Sequence, residues 1–331
     1  MRSLVRWWDT HQLALYICAI AVGAAIGLIT PQAAPSLEHS IEPALMLLLF
    51  ATFLGVPLIE VKRAFRDIRF LGTVLVANFV IVPMLAWGLS RFVVDDRGLL
   101  LGVLFVLLTP CIDYVIVFAG LAGGAGARLL AAAPLLMLVQ ILLLPVFLFL
   151  FAGGAVLGVV DIGPFIRAFL LLIVVPLSAA AVVQALARRY RGGRFIEKIM
   201  AGAMVPLMMV TLAVVIGSQI AAVGSQITAL LRVMPLYIAF VVLAVAIGKL
   251  ASRVAQLDVS ATRAVMFSTA TRNSLVVLPL ALALPASMSM APLAIVTQTL
   301  VELVAMLVLV RVAPFSRANH GRASPSRSTE L

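Results

Sequence analysis

Charge is what this sequence has least of. Only 11% of its 331 residues are Asp, Glu, Lys or Arg, while 64% are apolar. A soluble domain carries about 25% charged and about 45–50% apolar residues, so the composition excludes an ordinary water-soluble fold. Cysteine is nearly absent: Cys18 and Cys111 each lie within an apolar run, which argues against a disulfide framework. His11, His39 and His320 fall near the ends of apolar runs or in the C-terminal stretch, never as a cluster. No HExxH, P-loop or GxSxG pattern occurs, so protease, ATPase and hydrolase chemistry find no support. The chain does not read as an enzyme, and no cofactor is expected.

Apolar length is what the sequence has in abundance. Mean hydropathy is +1.20, and apolar runs of about 20 residues suit membrane-crossing helices rather than the shorter, alternating strands of a barrel. Charges, prolines and glycines divide the chain into ten candidate helices at 12–30, 41–59, 70–90, 99–122, 129–152, 164–187, 199–218, 233–251, 260–284 and 291–311. The start has the outline of a signal peptide, with Arg2 and Arg6 before the run Leu13–Ile29 and then Pro-Gln-Ala-Ala. Its length, and the repeat described below, favour an uncleaved first helix. Residues 1–313 therefore form one ten-helix domain, and the polar residues 314–331 read as a disordered tail.

The net charge of +11 is explained by placement rather than by nucleic acid. With the N-terminus in the cytoplasm, 19 basic residues fall on the inner side and 4 (Arg91, Arg97, Arg167 and Arg232) on the outer side. That asymmetry follows the positive-inside rule and predicts a multi-pass protein of the cytoplasmic membrane with both termini cytoplasmic. The expected surroundings are membrane lipid, with no nucleic-acid partner; oligomeric state is left open.

Arg272 lies within a predicted span, and so does Asp113. Each sits in a polar cluster, Leu108-Thr-Pro-Cys-Ile-Asp-Tyr-Val-Ile-Val117 and Ser268-Thr-Ala-Thr-Arg-Asn-Ser-Leu-Val-Val277. A charge at membrane depth costs several kcal/mol unless a partner or cavity receives it, so such residues mark functional sites. The clusters align, pairing Cys111 with Thr271 and Asp113 with Asn273 at an offset of 160. Ala133-Pro-Leu-Leu-Met-Leu-Val-Gln140 then aligns with Ala291-Pro-Leu-Ala-Ile-Val-Thr-Gln298 at an offset of 158. Two five-helix repeats, about 12–152 and 164–311, follow. Five is odd, so the second repeat enters the membrane inverted, as in many secondary transporters. Pro110 removes a backbone donor and predicts an interruption near Thr109–Asp113. The hydroxyls and amide of Ser268, Thr269, Thr271, Asn273 and Ser274 serve a corresponding break in the ninth span.

On these residues the chain resembles the bile acid/sodium symporter superfamily, and within it the arsenite-efflux branch. Cys111-Ile112 resembles the Cys-Ile of arsenite permeases, and Ser268-Thr-Ala-Thr-Arg-Asn-Ser274 echoes an acid followed by a Gln-Asn-Ser run. The resemblance implies ten helices in a panel and a core domain, with a site where spans four and nine cross. Two departures matter. Ser268 and Arg272 stand where sodium-coupled members have cation ligands, and a fixed guanidinium repels Na⁺. Leu275 stands where arsenite permeases carry a glutamate.

The expected function is export of arsenite or antimonite by alternating access, driven by protons or membrane potential rather than sodium. Thr109, Cys111, Asp113, Thr271, Arg272, Asn273 and Ser274 are the expected substrate-site residues. A soft metalloid prefers sulfur, and Cys111 alone would hold it transiently. Asp113 and Glu302 are proton-site candidates; Asp113 and Arg272 are also suited to an interhelical ion pair. Glu302 follows Gln298 by one helical turn on the same face. Asn78, Gln140 and Gln298 read as interhelical hydrogen-bonders, Cys18 as a buried small hydrophobe, and Gly120 and Gly124 as close-packing positions. The alternatives are a small organic anion with Arg272 as counter-charge, or a membrane receptor or scaffold that transports nothing.

Overall fold

A computed structural model of the chain describes residues 2–55, 67–112, 114–153, 166–167 and 170–312. The expected tail at 314–331, the basic residues Lys62, Arg63 and Arg66, and Asp113 lie outside the described residues. The described chain is nearly all helical and contains no β-strand. Its α-helices of eight residues or more are α1 (Arg2–Ile29), α2 (Ala34–Gly55), α3 (Ile68–Val76), α4 (Val82–Ser90), α5 (Arg97–Leu107), α6 (Tyr114–Leu121) and α7 (Gly126–Ala152). They continue as α8 (Val175–Ala187), α9 (Arg191–Ser225), α10 (Met234–Val254), α11 (Val259–Ala270), α12 (Ser274–Leu282) and α13 (Met290–Val312). Among the described residues, six helical stretches are long and apolar enough to cross a membrane. They are Pro31–Gly55, Ile68–Val93, Gly126–Ala152, Arg191–Gly224, Ile227–Val254 and Met290–Val312. Shorter apolar helices cover Ala14–Ile29, Arg97–Leu107 and Val175–Ala187.

Local chemistry sets several of these boundaries. The Asp67 carboxylate accepts from the Phe70 amide at 3.2 Å and caps α3, and Asp96 accepts from Leu99 at 3.0 Å and caps α5. Pro83 has no amide to offer one turn back, and the chain just before it widens into a π-helical turn at Ala77–Ile81. The same pairing recurs at Leu170–Val174 before Pro176. Gly123, at φ 70, turns the chain past the end of α6, and Arg263 donates to the Ala122 carbonyl there at 2.9 Å.

The helices pack in two groups. One holds α1, α2, α8 and α9; the other holds α3 to α7 and α10 to α13. Contacts of α9 with α13, and of α2 with α12, join them. Within the first group, a Cβ on Gly23 would lie 2.4 Å from the Ala213 carbonyl oxygen, and one on Gly27 would lie 2.3 Å from that of Gly217. Only glycine allows α1 and α9 to approach so closely. Gly124 is similarly confined, whereas Gly120 faces open space and has no packing role. Cys18 is exposed on the apolar outside of α1, not buried as its composition suggested. Large side chains such as Leu142, Phe149, Val242 and Leu250 are exposed along α7 and α10, as a lipid-facing surface requires.

Two ion-pair clasps lie at the ends of the second group. Arg232 pairs with Asp95 at 2.8 Å, and Arg128 reaches Asp258 at 2.7 Å and Asp67 at 3.3 Å. The Arg232 guanidinium lowers the pKa of Asp95. The Asp258 pKa is lowered first by the Ser260 hydroxyl and then by Arg128.

Candidate functional site

Two helical breaks meet at the centre of the second group. Helix α5 ends at Leu107 and α6 begins at Tyr114; α11 ends at Ala270 and α12 begins at Ser274. Across the gap the two unwound segments pair as a one-residue antiparallel bridge, Pro110 opposite Arg272. The Asn273 amide donates to the Thr109 carbonyl at 2.8 Å, and the Cys111 amide donates to the Thr271 carbonyl at 3.2 Å. Freed backbone in an apolar interior must find partners, and each break supplies them to the other.

Side chains complete the local accounting. Thr109 donates to the Phe105 and Val106 carbonyls, Thr271 donates to Phe267, and Asn273 accepts from Val276 to cap α12. The Ser274 hydroxyl and the Asn273 side-chain NH₂ are buried and have no partner among the described residues.

Arg272 is 0% exposed, and its guanidinium is enclosed by oxygen. It donates to Asn78 Oδ1 at 2.8 Å, to the Ser268 carbonyl at 2.9 Å, to that of Thr269 at 2.7 Å and to that of Leu107 at 3.3 Å. The Phe240 ring lies below it, with 5.4 Å between the guanidinium carbon and the ring centroid. Asn78 also donates to Ser268 Oγ at 3.0 Å, which orients its oxygen toward Arg272. The π-helical turn that holds Asn78 thus contributes directly to the site.

Glu302, 1% exposed, receives a second set of donors. The Tyr114 hydroxyl donates to it at 2.6 Å and the Arg272 amide at 2.8 Å; Gln298 donates from one turn before. Tyr114 also touches the Arg272 carbonyl at 3.1 Å. Arg272 is therefore held through its guanidinium from the π-helical turn after α3, from α5 and from α11, and through its backbone from α13 and α6.

The structure brings together Thr109, Cys111, Thr271, Arg272, Asn273, Ser274 and Glu302; Asp113, with the ion pair expected of it, is outside the described residues. Cys111 is 1% exposed and lies near Arg272. Asn78 does bond between helices, but Gln298 bonds within its own helix and Gln140 Oε1 has no partner among the described residues. Tyr114 and the main-chain oxygen of Leu107 were not anticipated. Tyr114 directly follows the expected Asp113, and a phenol beside an intramembrane cluster was the available signal.

Two spaces lie where the two helical groups meet, the smaller beside the crossing and the larger at the far end of α12. Beside Tyr114 and Ser274 a cavity of about 10 Å³, also lined by Tyr16 and Thr299, has roughly the room of one water. A larger cleft of about 390 Å³ opens between α9 and the start of α13, with Glu38, Ser218, Gln219, Gln226 and Ser289 on its walls.

The sequence profile of the sodium bile acid symporter family matches residues 42–230, more than half of the chain. The chain belongs to the sodium bile acid symporter family. It is therefore a multi-pass membrane transporter of the bile acid/sodium symporter type, in a family of transporters rather than enzymes. The match to the symporter family takes in the first break and Asn78 and stops before Arg272. Comparison with curated proteins gives no match.

Proposed function

We propose that this symporter-family protein is a sodium-independent secondary transporter that exports arsenite or antimonite by alternating access. Its spans form two inverted five-helix repeats in the cytoplasmic membrane, with both termini in the cytoplasm. The observation that carries the reading is the place of Cys111. Its thiol belongs to the unwound residues of the crossing, and its backbone is tied to Thr271 at 3.2 Å. Trivalent arsenic and antimony are soft centres that favour sulfur. A thiol can exchange for one hydroxyl of the metalloid, releasing water, and the reverse exchange releases the cargo.

The solute is small and polar, but the space beside Ser274 and Tyr114 has the room of only about one water, so the alternating-access cycle must widen it to admit the metalloid. The unpartnered Ser274 hydroxyl and Asn273 amide suit the hydroxyls of such a solute. Arg272 supports sodium independence, because its charge lies between the ends of both broken helices. Glu302 supplies a carboxyl within reach of the crossing for proton coupling, and Asp113 is a second candidate. The organic-anion alternative has less support: the Arg272 guanidinium is committed to four oxygens, and a substrate anion would have to displace them.

Arsenite uptake into inside-out vesicles tests the reading. Wild type is expected to accumulate arsenite without sodium, and Cys111→Ser to lose most of that uptake. Undiminished uptake in Cys111→Ser removes the thiol from the mechanism. Transport of an organic anion instead of arsenite, dependent on Arg272, favours the alternative substrate; transport of neither favours a receptor.

A further inference from the structure

The surroundings of the Arg272 guanidinium are those of a cation site rather than of an arginine–carboxylate pair. Its four acceptors are Leu107 O, Ser268 O, Thr269 O and Asn78 Oδ1, converging from three helices. Three of them are main-chain carbonyls in the last turns of α5 and α11, where helix dipoles present partial negative charge. The ends of broken half-helices hold small monovalent cations in transporters for this reason. An arginine selected for its planar fork would be expected to engage a carboxylate through two parallel bonds. Here Glu302 bonds instead to the backbone amide of Arg272 at 2.8 Å, and Nε has no partner among the described residues. The contacts use positive charge and little of the fork.

We propose that the cage formed by Asn78, Leu107, Ser268 and Thr269 is a monovalent-cation site whose permanent occupant is the chain's own guanidinium. Tethering changes the chemistry of the cycle. A dissociable cation leaves in one state and returns in another, so its gradient drives transport. A tethered one keeps the ends of α5 and α11 neutralised in every state and contributes no ion stoichiometry. The inference rests on the sodium-independent reading of the crossing and is independent of which solute is carried.

Truncating the side chain should expose the site. In Arg272→Ala the four oxygens and the Phe240 face would surround a space for free guanidinium, Na⁺ or K⁺. The experiment is thermal unfolding of the purified full chain in detergent, with millimolar guanidinium, sodium, potassium or choline chloride at matched ionic strength. Arg272→Ala is expected to gain roughly 5 °C, saturably, with guanidinium or an alkali cation and nothing with choline. Wild type and Arg272→Lys, which keeps a tethered cation, are expected to show no such rise. If Arg272→Ala does not fold, Arg272→Gln is read in the same way, because its amide can still donate to some of the carbonyls. Adding Asn78→Leu to either variant should weaken the rescuing cation by about tenfold. Absence of a cation-specific rise in a folded variant, or an equal rise in wild type, overturns the proposal. Because the readout is binding, failure of arsenite transport leaves it standing, and failure here leaves the thiol reading standing.

Discussion

Pro110 interrupts one span by covalent chemistry, whereas the other break, at Thr271–Asn273, contains no proline and is kept open by side chains. At the first break the missing donor lies in the chain itself, and Thr109 satisfies carbonyls three and four residues earlier. At the second, Arg272 draws on Asn78, 194 residues away, and its backbone is fixed by Glu302, 30 residues away. The starts of the helices leading into the breaks differ in the same direction. Asp96 caps α5 through the nearby Leu99 amide, while Asp258, before α11, caps no amide and divides its carboxylate between Ser260, two residues on, and the distant Arg128. Beyond the bridge they share, the first break rests mainly on local chemistry and the second adds long-range partners to its local bonds, so perturbations should act unequally on them.

The largest expected effect comes from removing the distant partner. Asn78→Leu takes an acceptor from a buried cation and is expected to cost about 1.5–3 kcal/mol in denaturant unfolding. A negligible cost would mean that the second break, like the first, is maintained by local contacts. Next in size is a matched pair of substitutions at the breaks themselves. Asn273→Ala removes the α12 cap and should cost about 1 kcal/mol. Pro110→Ala should leave stability nearly unchanged while slowing amide exchange at the end of α5, as its helix gains a donor. Similar losses from both would dissolve the distinction.

The smallest effect concerns pH. The Asp258 pKa is lowered in the folded chain, by Ser260 first and Arg128 second. Its contribution is therefore complete above the ordinary value of 3.8 and is lost as pH falls through the lower folded value. The carboxylate is about half exposed, so the Arg128 link is worth under about 1 kcal/mol. Melting curves should show wild type losing this increment in acid and Asp258→Asn lacking it at every pH. A wild-type curve parallel to that of the variant would remove the clasp from the account of α11.

The helical, membrane-spanning character of the chain was legible for the same reason that the first break was. Apolar length marks membrane helices, and Pro110 carries its own consequence without reference to any other residue. Glu302 was found because Gln298 sits one turn away on the same helix. What escaped reading depended on the third dimension. Nothing in the run around Asn78 names Ser268 or Arg272 as its partners, and the nearness of Tyr114 to Glu302 arises only when α6 meets α13. The burial of Cys18 was misread because a membrane helix is apolar on every side, so composition cannot distinguish a face against protein from one against lipid.

The close contact of α1 with α9 has a consequence for assembly. Gly23 and Gly27 come from the first half of the chain, and Ala213 and Gly217 come from the second. The larger group is likewise interleaved, with α5 seated on α13 and α11 meeting α6 and α7. Neither half encloses a complete interior by itself, so each presents the other with a ready-made seam. Severed between α7 and α8 and produced as two polypeptides in one cell, the halves should recognise each other, with the glycine seam as the point of docking.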